Sequence, residues 1–337
     1  MLSAFITALA GPELGFREAD VLRAAQPCGV ILFARNAVDP EQLRRLTDAV
    51  RNAIGAGDIP ILIDQEGGRV QRLRPPHWRA LPAAAAYGRL YASSREEALR
   101  LARSAARLTA ADLRRVGVNT NCAPLLDLPI PGSHDVIGDR AYGAAPEPVA
   151  ALGRAVAEGF MAGGVLPVIK HLPGHGRAAA DSHHELPVVS ATRAELDATD
   201  FAPFRALAHI PAAMTAHVVF TDYDADAPAS ISATVTREAI RGAIGFDGLL
   251  MSDDLGMAAL SGGIAERARA VLAAGTDVAL VCSGNLADTE AVAGVMPPLQ
   301  GASRARYERA CAVFGQQQPF DLAEAEAGLA ELLRGRA

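Results

Sequence analysis

Residues Pro167–His171 read PVIKH, an apolar run that ends without transition in a lysine and a histidine. Buried charge is expensive, and a strand core gives it no shelter unless pairing or function demands it. The same break recurs in ILID (residues 61–64), AAMTAH (212–217) and LLMSDD (249–254). In a parallel β-barrel the C-terminal strand ends gather on one face, where chemistry is done. Apolar strands that run straight into Asp64, Lys170, His171, His217, Asp253 and Asp254 therefore point both to a barrel and to a polar site at its mouth.

The rest of the chain fits that frame. Strand-like runs are expected at 4–8, 29–33, 59–63, 118–123, 167–170, 213–217, 249–252 and 277–281, and helices at 40–53, 95–116, 148–162, 193–208, 237–244 and 264–273. Asp39 before Pro40 reads as a cap followed by proline at the first helical position, and Gly117 as a helix stop. Leu99, Ala102, Ala106 and Leu113 recur at helical spacing and predict one buried face. Strands alternating with helices predict an α/β fold, a TIM (β/α)8 barrel that allows for an irregular early strand and carries C-terminal helices after Val313. An open doubly wound sheet is the alternative, but no GxGxxG or Walker loop follows an early strand. No repeat or linker divides the chain, so residues 1–337 are expected to form one domain.

Composition narrows the function. The chain has 337 residues, a net charge of −6 and a pI near 5.8, which argue against non-specific nucleic-acid binding. No basic amphipathic stretch or long apolar run suggests membrane attachment. Cys28, Cys122, Cys282 and Cys311 are widely spaced with no CxxC pair, as expected of reduced thiols in a cytoplasmic protein. The opening MLSAFITALAG lacks a basic residue before its apolar run and reads as a first strand rather than a signal peptide.

The polar segment 170–187, KHLPGHGRAAADSHHELP, has three readings. His171 and His175 have the spacing of a helical zinc pair, but Pro173 and Gly174 interrupt any helix between them, so no metal is expected. A solvated loop with structural histidines is the second. In the third, Asp181 and His183, two apart in extended chain, turn toward one another's side, and a carboxylate beside an imidazole can orient it for proton transfer. Asp253 and Asp254 would then supply a nucleophile or a charge stabiliser.

Four motifs in order, IDQEGGRVQR, GDRAYG, KHLPGHG with DSH, and MSDDLGM, resemble glycoside hydrolase family 3. The narrower likeness is to the short bacterial β-N-acetylglucosaminidases of cell-wall recycling, and it runs from GVILFARN to GTDVALV. The resemblance implies a TIM barrel and a retaining mechanism, with Asp253 as nucleophile and Asp181–His183 as an acid/base dyad. It implies sugar binding by Asp64, Arg72, Arg140, Lys170 and His171, with no cofactor and no metal. Gly67 and Gly68 would let backbone approach the sugar, and the glycines and alanines of GHGRAAAD would let that loop move. Asp127 resembles a residue that braces the site. Arg69 and Arg74 are expected to be surface or loop-bracing charges, Asp254 to be a structural acceptor, and His184 and Glu185 to be solvated. His175 and His217 either contact substrate or brace loops. Leu172, Arg177 and Gly256 depart from the family pattern.

The implied activity is an exo-β-N-acetylglucosaminidase acting on N-acetylglucosaminyl-1,6-anhydromuramyl peptides, a monomer whose only partner is its small carbohydrate or muropeptide substrate. A glucosidase or xylosidase, a phosphorylase, a metallohydrolase and a non-catalytic sugar-binding barrel are the alternatives.

Overall fold

A computed structural model describes residues 1–178, 180–182 and 185–335. Eight parallel strands close into a barrel: β1 (Ser3–Ala8), β2 (Pro27–Leu32), β3 (Ile61–Ile63), β4 (Thr120–Asn121), β5 (Leu166–Leu172), β6 (Ala212–Thr215), β7 (Leu249–Asp254) and β8 (Val278–Val281). They follow one another around the barrel in chain order, and β8 returns to β1 in the register Phe5–Ala279, Ile6–Leu280 and Thr7–Val281. The early irregularity is confined to a register shift between Ser3 and Ile6 against β2. The opening apolar segment thus builds β1.

Alternation sorts the strand side chains. Ile6, Ile31, Leu62, Val168, Met214, Met251 and Leu280 fill the interior, while Phe5, Val30, Ile63, Ile169 and Leu250 face the helical shell. Cys28 and Cys122 lie in that interior, and all four cysteines are free thiols. Strand β4 is shorter than the run expected at 118–123, and two asparagines add side-chain bonds beside its backbone pairing with β3. Asn119 bonds the Ile61 N–H and the Ile59 carbonyl at 2.7 and 2.9 Å, and Asn121 does the same for Gln65 at 2.9 Å each.

The outer ring consists of α1 (Phe16–Ala25), α2 (Pro40–Ile54), α3 (Ala84–Ser93), α4 (Arg95–Arg115), α5 (Pro146–Ala162), α6 (Arg193–Ala198), α7 (Phe201–Ala206), α8 (Ile264–Ala273), α9 (Leu286–Ala293), α10 (Gly301–Cys311) and α11 (Leu322–Leu333), with a π-helix at Val235–Ala243. Helix α2 starts as its sequence predicts: Asp39 accepts from the Gln42 N–H at 2.8 Å and Pro40 opens the first turn. On α4, Ala102, Ala106 and Leu113 are buried with Leu101 and Leu108, whereas Leu99 is only partly so. The single helix expected over 193–208 is two. Pro203 has no N–H to give Thr199, four residues back, and its ring would crowd that carbonyl. The chain breaks at Thr199–Asp200, where Asp200 and Thr199 receive the Arg177 guanidinium at 2.6 and 2.9 Å.

Helix α10 plugs the N-terminal end of the barrel, with Tyr307 donating to the Cys28 carbonyl at 2.8 Å. Helix α11 lies on α4, where a Cβ on Gly328 would meet Leu101 at 2.5 Å. Among the described residues no helix is long and apolar enough to cross a membrane.

Candidate active site

The C-terminal strand ends open into a cavity of about 380 Å³. Asp64 follows β3, Lys170 and His171 lie within β5, and Asp253 lies within β7; all four reach it. Arg72 and Asp181 join them from loops, and Arg140 from a 3-10 helix, Gly138–Arg140. Seven residues that the sequence singles out, scattered from position 64 to position 253, therefore line one space. His183, with its neighbour His184, lies outside the described residues. His217 does not line the cavity; it is fully buried, bonded to the Ser230 hydroxyl at 2.6 Å and to the Asp254 carbonyl at 3.0 Å.

Along one wall runs a chain of alternating charge, in which Asp64, Arg72, Lys170 and Arg140 line the cavity and Glu66 does not. Arg72 Nη2 lies 3.1 Å from Asp64 Oδ2, and Lys170 Nζ lies 2.9 Å from Asp64 Oδ1 and 2.6 Å from Glu66 Oε1. Glu66 in turn takes Arg140 through Nε and Nη2, both at 2.9 Å, the bidentate geometry that fits a guanidinium to a carboxylate. Burial would raise the Asp64 carboxyl, but the Lys170 and Arg72 charges hold it well below the usual range. Glu66 is likewise held down against its burial by Lys170 and Arg140. Burial would strip Lys170 of its proton, and Asp64 and Glu66 together keep it on. Three cations and two carboxylates are thereby fixed in place, and their remaining donors and lone pairs suit the hydroxyls of a sugar. Arg72 Nε is buried and has no partner among the described residues.

Glu66 was not among the sequence candidates. Its signal is in IDQEGG, where it stands two residues beyond Asp64, the spacing that returns a side chain to the same face of an extended strand. The two glycines that follow serve a different purpose from the one expected. A Cβ on Gly67 would sit 2.2 Å from the Pro82 carbonyl oxygen, and one on Gly68 would sit 2.8 Å from Ala83 Cβ. They allow this loop to pack on residues 81–83, and neither lines the cavity.

The opposite wall carries Asp253. Burial would raise its carboxyl, but His171, His217, the Asp254 N–H at 2.8 Å and Lys170 together hold it below the ordinary value. Burial raises neighbouring Asp254 instead, and its Oδ1 is occupied by the Gly256 and Cys282 amides at 3.0 and 2.9 Å, the structural acceptor role expected of it. Environment thus pushes two adjacent carboxyls apart.

Asp127 sits behind the cavity as a brace. It pairs with His171 Nδ1 at 2.7 Å and accepts from the His175 N–H at 2.6 Å. His175 Nε2 meets the Ser182 hydroxyl at 2.9 Å, and burial beside His171 pushes its ring down to about 4. Among the described residues no group of three or more His, Cys, Asp or Glu is arranged to hold a metal ion. Arg69 braces a loop as expected, donating to the carbonyls of Asp135 and Val136 at 2.8 and 2.7 Å, and Arg74 ties down Gln71 at 2.6 Å. Glu185 is exposed.

Comparison with known proteins agrees with this geometry. Residues 10–310 match the glycosyl hydrolase family 3 N-terminal domain. The chain is 42% identical over 287 residues to a β-hexosaminidase of Alkalilimnicola ehrlichii, covering 84% of this chain and 81% of that protein. It is 41% identical over 307 residues to a β-hexosaminidase of Thiobacillus denitrificans, covering 89% and 84%. Its fold is similar to the crystal structure of NagZ from Neisseria gonorrhoeae in complex with N-trifluoroacetyl-D-glucosamine, with a TM-score of 0.88, 32% identity and 98% of both chains covered. A family match over most of the sequence, on a barrel whose mouth holds charge-paired carboxylates, leaves one assignment: this chain belongs to glycosyl hydrolase family 3 and is a glycoside hydrolase.

Proposed function

We propose that the protein is a retaining exo-β-N-acetylglucosaminidase, a single catalytic barrel domain that removes terminal N-acetylglucosamine from N-acetylglucosaminyl-1,6-anhydromuramyl peptides in the cytoplasm. The observation that carries the reading is one cavity lined by the carboxylate Asp253 together with Asp64, Arg72, Lys170 and Arg140, the last two bridged by Glu66. The names of the β-hexosaminidase and NagZ relatives supply the sugar class.

In this reading Asp253 attacks the anomeric carbon and forms a glycosyl ester while the bond to the leaving oxygen breaks. His183, as imidazolium, gives that oxygen its proton, and Asp181 favours the charged, correctly turned ring. Water then attacks the ester, His183 takes the water's proton, and the freed Asp253 carboxylate completes the cycle. Asp64, Arg72, Arg140, Lys170 and His171 hold the sugar hydroxyls, and such bonds reject analogues that lack a hydroxyl because buried partners would be left unpaired. The electrostatics at Asp253 support the nucleophile role, since an attacking carboxylate must be ionised at neutral pH.

The test is release of nitrophenol from the β-N-acetylglucosaminide and the β-glucoside by the purified protein. Strong preference for the acetamido sugar is expected. Equal rates, or preference for the glucoside, would overturn the substrate assignment.

A further inference from the structure

The part of the cavity wall contributed by the loop after β5 includes Asp181 and Ser182. Ser182 is only 3% exposed, unusual for a serine in a loop. Two bonds hold it. Its hydroxyl meets His175 Nε2 at 2.9 Å, and its carbonyl accepts from the Ala259 N–H at 3.3 Å. Each partner is tied to a different side of the site. The His175 backbone is fastened to Asp127, the residue that also orients His171. Ala259 belongs to the loop that leaves β7, the strand that ends in Asp253 and Asp254. The other nitrogen of His175, Nδ1, is buried and has no partner among the described residues, so Ser182 is the side chain that its ring engages there.

We infer that Ser182 is a positioning residue: its clamp between His175 and Ala259 fixes the Asp181–Ser182 segment at the cavity wall and so sets the geometry of proton transfer. This rests on the reading that Asp181 and His183 move the proton. The clamp works at neutral pH because His175, held to about 4 by burial and by His171, is then uncharged and trades a single proton with a hydroxyl rather than presenting a buried cation to it.

Positioning of an acid leaves a particular kinetic signature. A sugar alkoxide needs a proton to leave and a nitrophenolate hardly does. Ser182→Ala should therefore lower kcat/KM on a β-1,4-linked N-acetylglucosamine disaccharide at least tenfold more, roughly, than on the nitrophenyl N-acetylglucosaminide. Ser182→Thr, which keeps the hydroxyl, should recover most of the disaccharide activity and guards against a folding artefact. A cycle with His175→Asn should be non-additive, as expected for two groups sharing one bond. Equal loss on the two substrates, or additive losses, with Asp181→Ala still showing the leaving-group bias, overturns the clamp and leaves the dyad standing. Absence of that bias in Asp181→Ala as well overturns the dyad and the clamp together.

Discussion

Glu66 is the carboxylate on which the site's charge balance turns. It stands between two cations, so removing its charge leaves Lys170 with Asp64 alone and unfastens one face of the Arg140 fork. Breaking a buried pair in this way costs on the order of 3 kcal/mol. Glu66→Gln should lower the urea midpoint accordingly, and it should cut kcat/KM by about tenfold or more through misplaced sugar contacts. An unchanged midpoint and unchanged efficiency would mean that Arg140 and Lys170 hold their places without it. At Asp253 the expected loss is larger. Asp253→Ala removes the proposed nucleophile, so turnover should fall by several orders of magnitude, roughly 10⁴-fold or beyond, with the circular dichroism spectrum retained. Trapping with a fluorinated sugar, followed by peptide mass mapping, should place the label on Asp253. A label on Asp254 would reverse the assignment, against the two backbone amides that already occupy that carboxylate.

At the scale of elements, glycines do more packing than loosening. A Cβ on Gly176 would lie 2.0 Å from the Leu128 carbonyl oxygen, so this residue seats the loop after β5 against the chain leaving β4. Gly176→Ala should push that loop outward, destabilise the protein by about 1–3 kcal/mol as overpacking does, and reduce activity, measured by denaturant titration and by sugar release. If both were unchanged, the contact would be one that the loop can yield. The same element explains what the sequence could and could not convey. Four of the barrel strands, β3, β5, β6 and β7, were legible because an apolar run met charge at its end, and that signal belongs to the strand alone. The fine bounds were not legible. Asn119 and Asn121 bond to Ile61 and Gln65, in β3 and just beyond it and far away in the chain, and Asp200 accepts from Arg177 at a helix break that only Pro203 hinted at. Helices α1 and α9 left little periodic trace because few of their residues are buried: Leu22 in one, Thr289 and Val292 in the other. For the site, residue types at strand ends were enough to nominate Asp64, Lys170 and His171. The clamp at Ser182 depends on contacts between loops, which no local pattern records, and the only trace of the bridge at Glu66 is its spacing from Asp64.

For the molecule as a whole, four buried carboxyls and two buried histidines act in one direction in acid, against the single opposing carboxyl of Asp254, which burial raises. Asp64, Glu66, Asp127 and Asp253 are held down in the fold, so they stabilise it above their unfolded values and lose that contribution as acid protonates them. His175 and His217 are also lowered, His175 from 6.5 to about 4, so the unfolded chain binds protons that the folded one refuses. Stability should therefore fall as pH drops from about 6.5 toward 4, and fall further below that as the carboxylates are protonated. Urea midpoints at pH 7.5 and pH 5 should differ in that sense, and His175→Asn should flatten part of the difference; a midpoint that rises at pH 5 would contradict it. The pairing of β1 with β8 also has a consequence for synthesis. The ribosome delivers Phe5 early and its neighbour Ala279 only after some 270 further residues. Until then the growing sheet carries an open edge on β1 and another on its newest strand, each with unpaired N–H and C=O groups ready to add a foreign strand. A nascent chain stalled before Val278 should thus need a chaperone to stay dispersed, whereas one released after β8 can seal itself.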